Sequence, residues 1–246
     1  MKKILLSDFG DIRTTPSLCK KYNLGVDAGS FCFYDFYPPD SEIINKHLTS
    51  YKNIEIYSIH GPIADLIFES NVITEAKTRF EYAYNILPKL NCKNMILHNG
   101  YVSETSLPEN WIKNAGTFWK NYLKNKDNGT NFYIENYMET SPDIILDLIN
   151  DVNKNNFKMC LDTGHVNIFS DIKITEWIEK ANKNIGFVHL HNNGGKKDDH
   201  NALNNGTINM LDVCKTLEQY SPDAIWALET TYLEESVEWL KKNNFL

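Results

Sequence analysis

Residues 158–165 read KMCLDTGH. A short apolar run ends on a carboxylate, Asp162, and an imidazole, His165, follows three residues later. The same form recurs along the chain. IEIYSIH ends at His60, KNMILH at His98, NFYIE at Glu135, GFVH at His189 and AIWALE at Glu229. Helical stretches separate these runs, so strand and helix alternate. In such a fold the residues at the carboxyl ends of the strands converge on one face. Six ligand-type side chains would then surround one cleft.

Working outward, the pattern predicts eight strands: Ile4–Ser7, Leu24–Phe31, Ile54–His60, Lys93–His98, Phe132–Glu135, Lys158–Asp162, Gly186–His191 and Ala224–Glu229. The helices between them are predicted over Pro16–Tyr22, from a cap at Asp40 or Ser41 through Leu48, and over Asn71–Leu90 and Pro108–Leu123. Further helices start at Ser141-Pro142 and cover Ile174–Lys183, Asn209–Tyr220 and Leu233–Lys242. Val72, Ile73, Ala76, Phe80, Ala83, Leu87 and Leu90 step by three and four and line one helical face. Ser141 suits a cap, and Pro142 fits a first turn that needs no N–H. Trp111 and Trp119 are expected to face the core. Strict alternation implies right-handed crossovers and a parallel sheet. Eight units favour closure over an open sheet, and no GxGxxG or GxxxxGK segment supports a nucleotide-binding open sheet. The fold class is therefore α/β, a single-domain (β/α)8 TIM barrel over residues 1–246.

The net charge of −7 disfavours a general nucleic-acid or anionic-membrane surface, and Arg13 and Arg79 are the only arginines. Five dispersed cysteines without CxxC spacing, Cys19, Cys32, Cys92, Cys160 and Cys214, read as reduced thiols of a cytoplasmic protein. MKKILL is too short in its apolar part for a signal peptide and reads as the first strand. Nothing approaches a membrane span. Assembly into a homo-oligomer stays open.

Glu135, Asp162, His189 and Glu229 form a hard, mixed oxygen and nitrogen set that suits Mn²⁺, Mg²⁺, Co²⁺ or Zn²⁺. A single carboxylate at a strand end is as readily a helix cap or a solvated charge. Four on successive strands make coincidence a poor explanation. His60 and His98 supply two more imidazoles, and His165 is expected on the loop after the sixth strand. His189 and His191 share a strand face, and His189 is taken as the ligand. Asp198 and His200 form a D-x-H pair on the following loop, where Asp199 could replace Asp198. His47, beside Lys46 in a helix, reads as surface.

These residues resemble the xylose isomerase-like barrel superfamily, which includes endonuclease IV and the sugar isomerases and epimerases. The likeness spans nearly the whole chain, through SIHGP, ILHNG, IEN, CLDTGH, VHLHNNG followed by DDH, and ALET. By resemblance to endonuclease IV, nine residues would serve up to three metal sites. Glu135 would bridge two metals, one of them also held by His60 and His98. Asp162, His189 and Glu229 would hold the second, and His165, Asp198 and His200 the third. The sugar epimerase branch implies one divalent ion on Glu135, Asp162, His189 and Glu229. There an enediolate forms, Glu135 and Glu229 act as acid and base, and His165 binds the sugar.

Two departures separate this chain from the DNA enzymes. His60 is followed by Gly61, Pro62, Ile63 and Ala64, with no aromatic wedge, and arginines are nearly absent. The arginine often found on the seventh loop of the epimerases is also missing, and Lys196 and Lys197 are the substrate-binding candidates there. The leading reading is a metal-dependent isomerase or epimerase of a sugar or sugar phosphate. The alternative is an endonuclease IV-like zinc phosphodiesterase, and a third reading is a barrel that binds a metabolite without turnover.

Overall fold

Period-two alternation along the strands decides which side chains point into the barrel. The computed structural model describes residues 2–8, 11–32, 41–64, 66, 68, 70–102, 107–126 and 128–246. Its elements run β1 (Ile4–Ser7), α1 (Thr15–Tyr22), β2 (Gly25–Ala28), α2 (Ser41–Ser50), β3 (Ile56–His60), α3 (Ser70–Ile86), β4 (Asn94–His98) and α4 (Pro108–Leu123). They continue with β5 (Asn131–Glu135), α5 (Asp143–Val152), β6 (Phe157–Asp162), α6 (Thr163–Phe169), α7 (Ile174–Ala181), β7 (Ile185–Leu190), α8 (Met210–Tyr220), β8 (Ile225–Leu228) and α9 (Leu233–Lys242). Neighbouring strands pair in parallel and in sequence order, and β8 closes on β1, so the sheet is a closed barrel.

Register carries the ligands to one rim. His98 pairs with Glu135 across β4 and β5, and Asp162 pairs with His189 across β6 and β7. Two residues before the rim on β4 to β8, Ile96, Tyr133, Cys160, Phe187 and Ala227 pack with Leu5 and Ile225 as a cluster that fills the barrel. That plug leaves the next inward position to face the mouth. The opposite strand faces join the helices in the larger core, where Trp111, Trp119, Trp177 and Trp226 are fully buried.

The predicted elements shift little. The helix predicted over Asn71–Leu90 leaves the α form after Ile86 and finishes as a 3₁₀ turn over Leu87–Leu90, where Pro88 lacks the N–H a continuing helix needs. The helix predicted through Lys183 likewise tightens into a 3₁₀ turn after Ala181. Ser141 accepts the N–H of Asp143, as a cap should, although regular helix starts only there. Asp40, the alternative cap of α2, lies outside the described residues.

Two expectations fail. His165 sits on a helix rather than a loop: Asp162 is the N-cap of α6, and its carboxylate accepts the His165 N–H at 2.6 Å. His47 is buried, not at the surface. Its Nε2 lies 2.6 Å from Ser30 Oγ, which hydrogen-bonds to Asp8, and the Tyr51 hydroxyl donates to the same carboxylate. Local sequence shows Lys46 beside it but not the barrel end on which its face rests. Cys19, Cys92, Cys160 and Cys214 are buried free thiols. No helix among the described residues is long and apolar enough to cross a membrane.

Trp119 packs against Phe80, Phe118, Tyr122 and Phe157. Trp119→Ala should cost about 3–5 kcal/mol of stability, read as a lower midpoint in urea. A loss below about 1 kcal/mol would show that this face of the barrel is not packed as described.

Candidate metal centre

Glu135, at the end of β5, is the hub. Its Oε2 lies 2.8 Å from His60 Nε2 and 3.3 Å from His98 Nε2, and its Oε1 lies 2.9 Å from His189 Nδ1 and 3.8 Å from His165 Nδ1. His189 Nδ1 also faces Glu229 Oε2 at 3.3 Å and Asp162 Oδ2 at 4.0 Å. Glu135, Asp162, His189 and Glu229 therefore offer four ligand atoms all within 4.8 Å of one another. His60, His98 and Glu135 form a second such group, and His60, His189 and Glu229 another.

The chain of small polar residues after each ligand locks the rim. Asn136 donates to the Asp162 carbonyl and accepts the Asp162 N–H, tying the end of β5 to the end of β6. The Thr163 hydroxyl bridges to the carbonyls of His189 and His191. Gly164 is required by space, because a Cβ there would lie 1.9 Å from Cε1 of His191.

The third predicted group gains a neighbour. Asp198 and His200 come together at 3.0 Å, and besides His165 a further imidazole, His191, makes a compact set with them. His191 lies just beyond β7, buried, with Nε2 3.1 Å from both Asp162 oxygens and 3.6 Å from Asp198 Oδ1. Its ring stacks on that of His200 at 4.1 Å. His165 stays close to Asp198, at 3.2 Å, while its Nδ1 donates to the Asn136 carbonyl. Lys196 and Lys197 are exposed and lie outside the residues that line the cavity.

The site's charge is balanced by imidazolium. Burial works against ionising Glu135, but His189, His98 and His60 outweigh it and hold the carboxyl well below its usual range. Burial disfavours charge on His165 too, yet Asp162 and Asp198 push it up to about 10. His200 is raised to about 9 against the same penalty, through Asp198 and Glu229. His98, with burial and neighbouring imidazoles against it, is lowered to about 3. Burial raises Glu229. A donor set of carboxylates and imidazoles that can shed those protons fits a divalent cation.

A cavity of about 220 Å³ opens over the centre, lined by Gly29, Ile63 and Tyr137 as well as the ligand side chains. The strand-end pattern does not reach Tyr137. Its ring stacks on His98 at 5.4 Å and meets His165 edge-on at 5.0 Å. Beneath it, buried Glu139 accepts from the Tyr137 N–H and from Asn99 Nδ2, and burial first of all lifts its carboxyl to about 7. The signal present in the sequence is an aromatic residue straight after the Glu-Asn pair.

Fold and site define a parallel (β/α)8 barrel with a carboxylate–imidazole centre at its carboxyl rim. Residues 19–243 match the xylose isomerase-like TIM barrel family, and the chain belongs to it. It is similar to the uncharacterized proteins MJ1311 and MJ1614 of Methanocaldococcus jannaschii. The first is 24% identical over 73% of this chain and 66% of its own length, and the second 26% identical over 78% and 80%. Among solved structures it resembles a D-tagatose 3-epimerase-like protein, with TM-score 0.81, 20% identity and coverage of 98% and 97% of the two chains. The TTHB071 protein from Thermus thermophilus, soaked with ZnCl2, superposes with TM-score 0.77, 17% identity and the same coverage of 98% and 97%. The D-allulose 3-epimerase from Methylomonas sp., in complex with D-allulose, gives TM-score 0.73, 13% identity and coverage of 92% and 83%.

Gly164→Ala should displace His191 and so loosen Asp162. An overpacked site of this kind costs about 1–3 kcal/mol, seen as a lower Tm together with weaker Mn²⁺ binding. An unchanged Tm and unchanged binding would mean that the rings are not seated as described.

Proposed function

We propose that this chain is a divalent-metal-dependent isomerase or epimerase of a sugar, taken as a ketose or ketose phosphate. The observation that carries this reading is the set Glu135, Asp162, His189 and Glu229, with ligand atoms within 4.8 Å of one another and two glutamates on the same imidazole. A divalent cation held there supplies Lewis acidity toward a carbonyl and its adjacent hydroxyl, which acidifies the neighbouring C–H. Glu135 and Glu229 do the proton work: one carboxylate takes the carbon-bound proton and the other carboxyl delivers one. His165 lines the cavity and orients a substrate hydroxyl. Tyr137 offers a ring face to the C–H side of a sugar, and Ile63 helps to keep water out. The cavity of about 220 Å³ suits a small molecule. The likeness to the D-tagatose and D-allulose 3-epimerase structures supports this direction.

A second reading, an endonuclease IV-like multinuclear zinc phosphodiesterase, is favoured by the two extra groups, His60–His98–Glu135 and His191–Asp198–His200. The lack of lysine or arginine at the mouth among the described residues weighs against it. Arg13 is 90% exposed beside Asp11, Arg79 pairs with Glu75, and no lysine or arginine lines the cavity among the described residues. A phosphodiester backbone needs such partners.

Purified protein should carry divalent metal, near one per chain for the isomerase and near three for the hydrolase. Chelation should abolish activity. With Mn²⁺ and a panel of ketoses, solvent deuterium should enter the carbon next to the carbonyl. Glu135→Gln or Glu229→Gln should slow that exchange by about 10²–10⁴-fold. Absence of metal, or rapid cutting of abasic-site DNA, would refute the isomerase reading.

A further inference from the structure

Backbone carbonyls anchor the outward ring nitrogen in His60, His165 and His200. His60 Nδ1 donates to the Gly61 carbonyl at 2.9 Å, and His200 Nδ1 to the Glu229 carbonyl at 2.9 Å. Each leaves Nε2 aimed at a carboxylate. Like His191, whose Nδ1 is buried without a partner, His189 lacks such an anchor. Its Nδ1 faces Glu135 and Glu229, while its Nε2 is buried without a hydrogen-bond partner. Opposite that nitrogen, at 3.5 Å, stands Oδ2 of Asp27, also buried and also without a hydrogen bond. Asp27 ends the apolar run of β2 and is fully buried. Its other oxygen accepts the Ser58 hydroxyl at 2.6 Å, so the free oxygen is held toward the ring. Two polar atoms that are costly to leave unpaired thus face each other across a gap about half an ångström longer than a hydrogen bond.

We propose that Asp27 is the positioning residue of this centre. It accepts a hydrogen bond from the Nε2–H of His189, which makes Nδ1 the lone-pair nitrogen that the neutral ring offers on the side of Glu135, Asp162 and Glu229. A ligating imidazole generally needs such a partner, which selects the tautomer, fixes the ring plane and raises donor basicity. Ser58 holds the carboxylate for that purpose. The inference rests on the metal-centre reading above and names a residue outside the ligand set.

Co²⁺ titration in competition with a chelator provides the test, with the Co²⁺ d–d spectrum as a second readout. Asp27→Ala should weaken binding about 10–100-fold and change the spectrum. Asp27→Asn, whose amide oxygen still accepts, should recover most of the affinity, and Ser58→Ala should show a smaller loss than Asp27→Ala. Zinc-loaded wild-type protein labelled with ¹⁵N-histidine gives a measurement that does not depend on any variant folding. There His189 should be the Nε2–H tautomer with a slowly exchanging proton. Wild-type affinity and spectrum in a folded Asp27→Ala protein, or an Nδ1–H tautomer of His189, would overturn the role of Asp27 while leaving the metal centre standing. A wild-type protein that binds no Co²⁺ would overturn both.

Discussion

Carboxylates crowded together out of water must be matched by positive charge. Two like charges about 4 Å apart repel by about 4 kcal/mol at an effective dielectric of about 20. Glu135, Asp162 and Glu229 all reach His189, and Asp198 sits at the edge of the same mouth. The protein answers this with imidazoles: Glu135 alone has four of them around it. Shared protons can hold such a cluster together, and a divalent cation does the same with better geometry. The acidic balance of the whole chain makes the clustering of six of its seven histidines at one rim more telling. Histidines spread for structural reasons would be scattered through the fold, as His47 is.

The closed barrel makes this cluster tolerable. His98, Glu135, Asp162, His189 and Glu229 each stand two residues beyond an inward-facing side chain of the barrel plug, so Ile96, Tyr133, Cys160, Phe187 and Ala227 support the charged layer from below. Around it, Asn136 and Thr163 stitch neighbouring strand ends through backbone groups, and Gly164 makes room for His191. A ligand set held this way loses little freedom when it binds. The rigidity comes from hydrogen bonds one layer out, those of Asn136 and Thr163 foremost.

The same ligand residues are compatible with proton transfer on a sugar and with hydrolysis of a phosphoester, so the wall of the cavity decides between them. That wall is aromatic and aliphatic at Tyr137 and Ile63 and has no lysine or arginine among the described residues. It suits a compact polar molecule with C–H faces better than a polyanion. Lys196 and Lys197, the substrate-binding candidates of the sequence, sit outside it.

The eight-unit rhythm and the imidazoles and carboxylates at strand ends were legible from sequence, because period-two alternation and the apolar run before each of them are local properties. The rule that picked out Glu135 and Asp162 applies equally to Asp27 at the end of its own run, yet nothing local tells a ligand from the residue that supports one. That distinction depends on which way the histidine ring between them is turned. The approach of His191 to Asp198 and His200, the burial of His47, the helix that carries His165 and the ring of Tyr137 over the mouth were likewise decided only in the folded chain. All of them depend on distances between strands far apart in sequence, which are set when the barrel closes and its register is fixed.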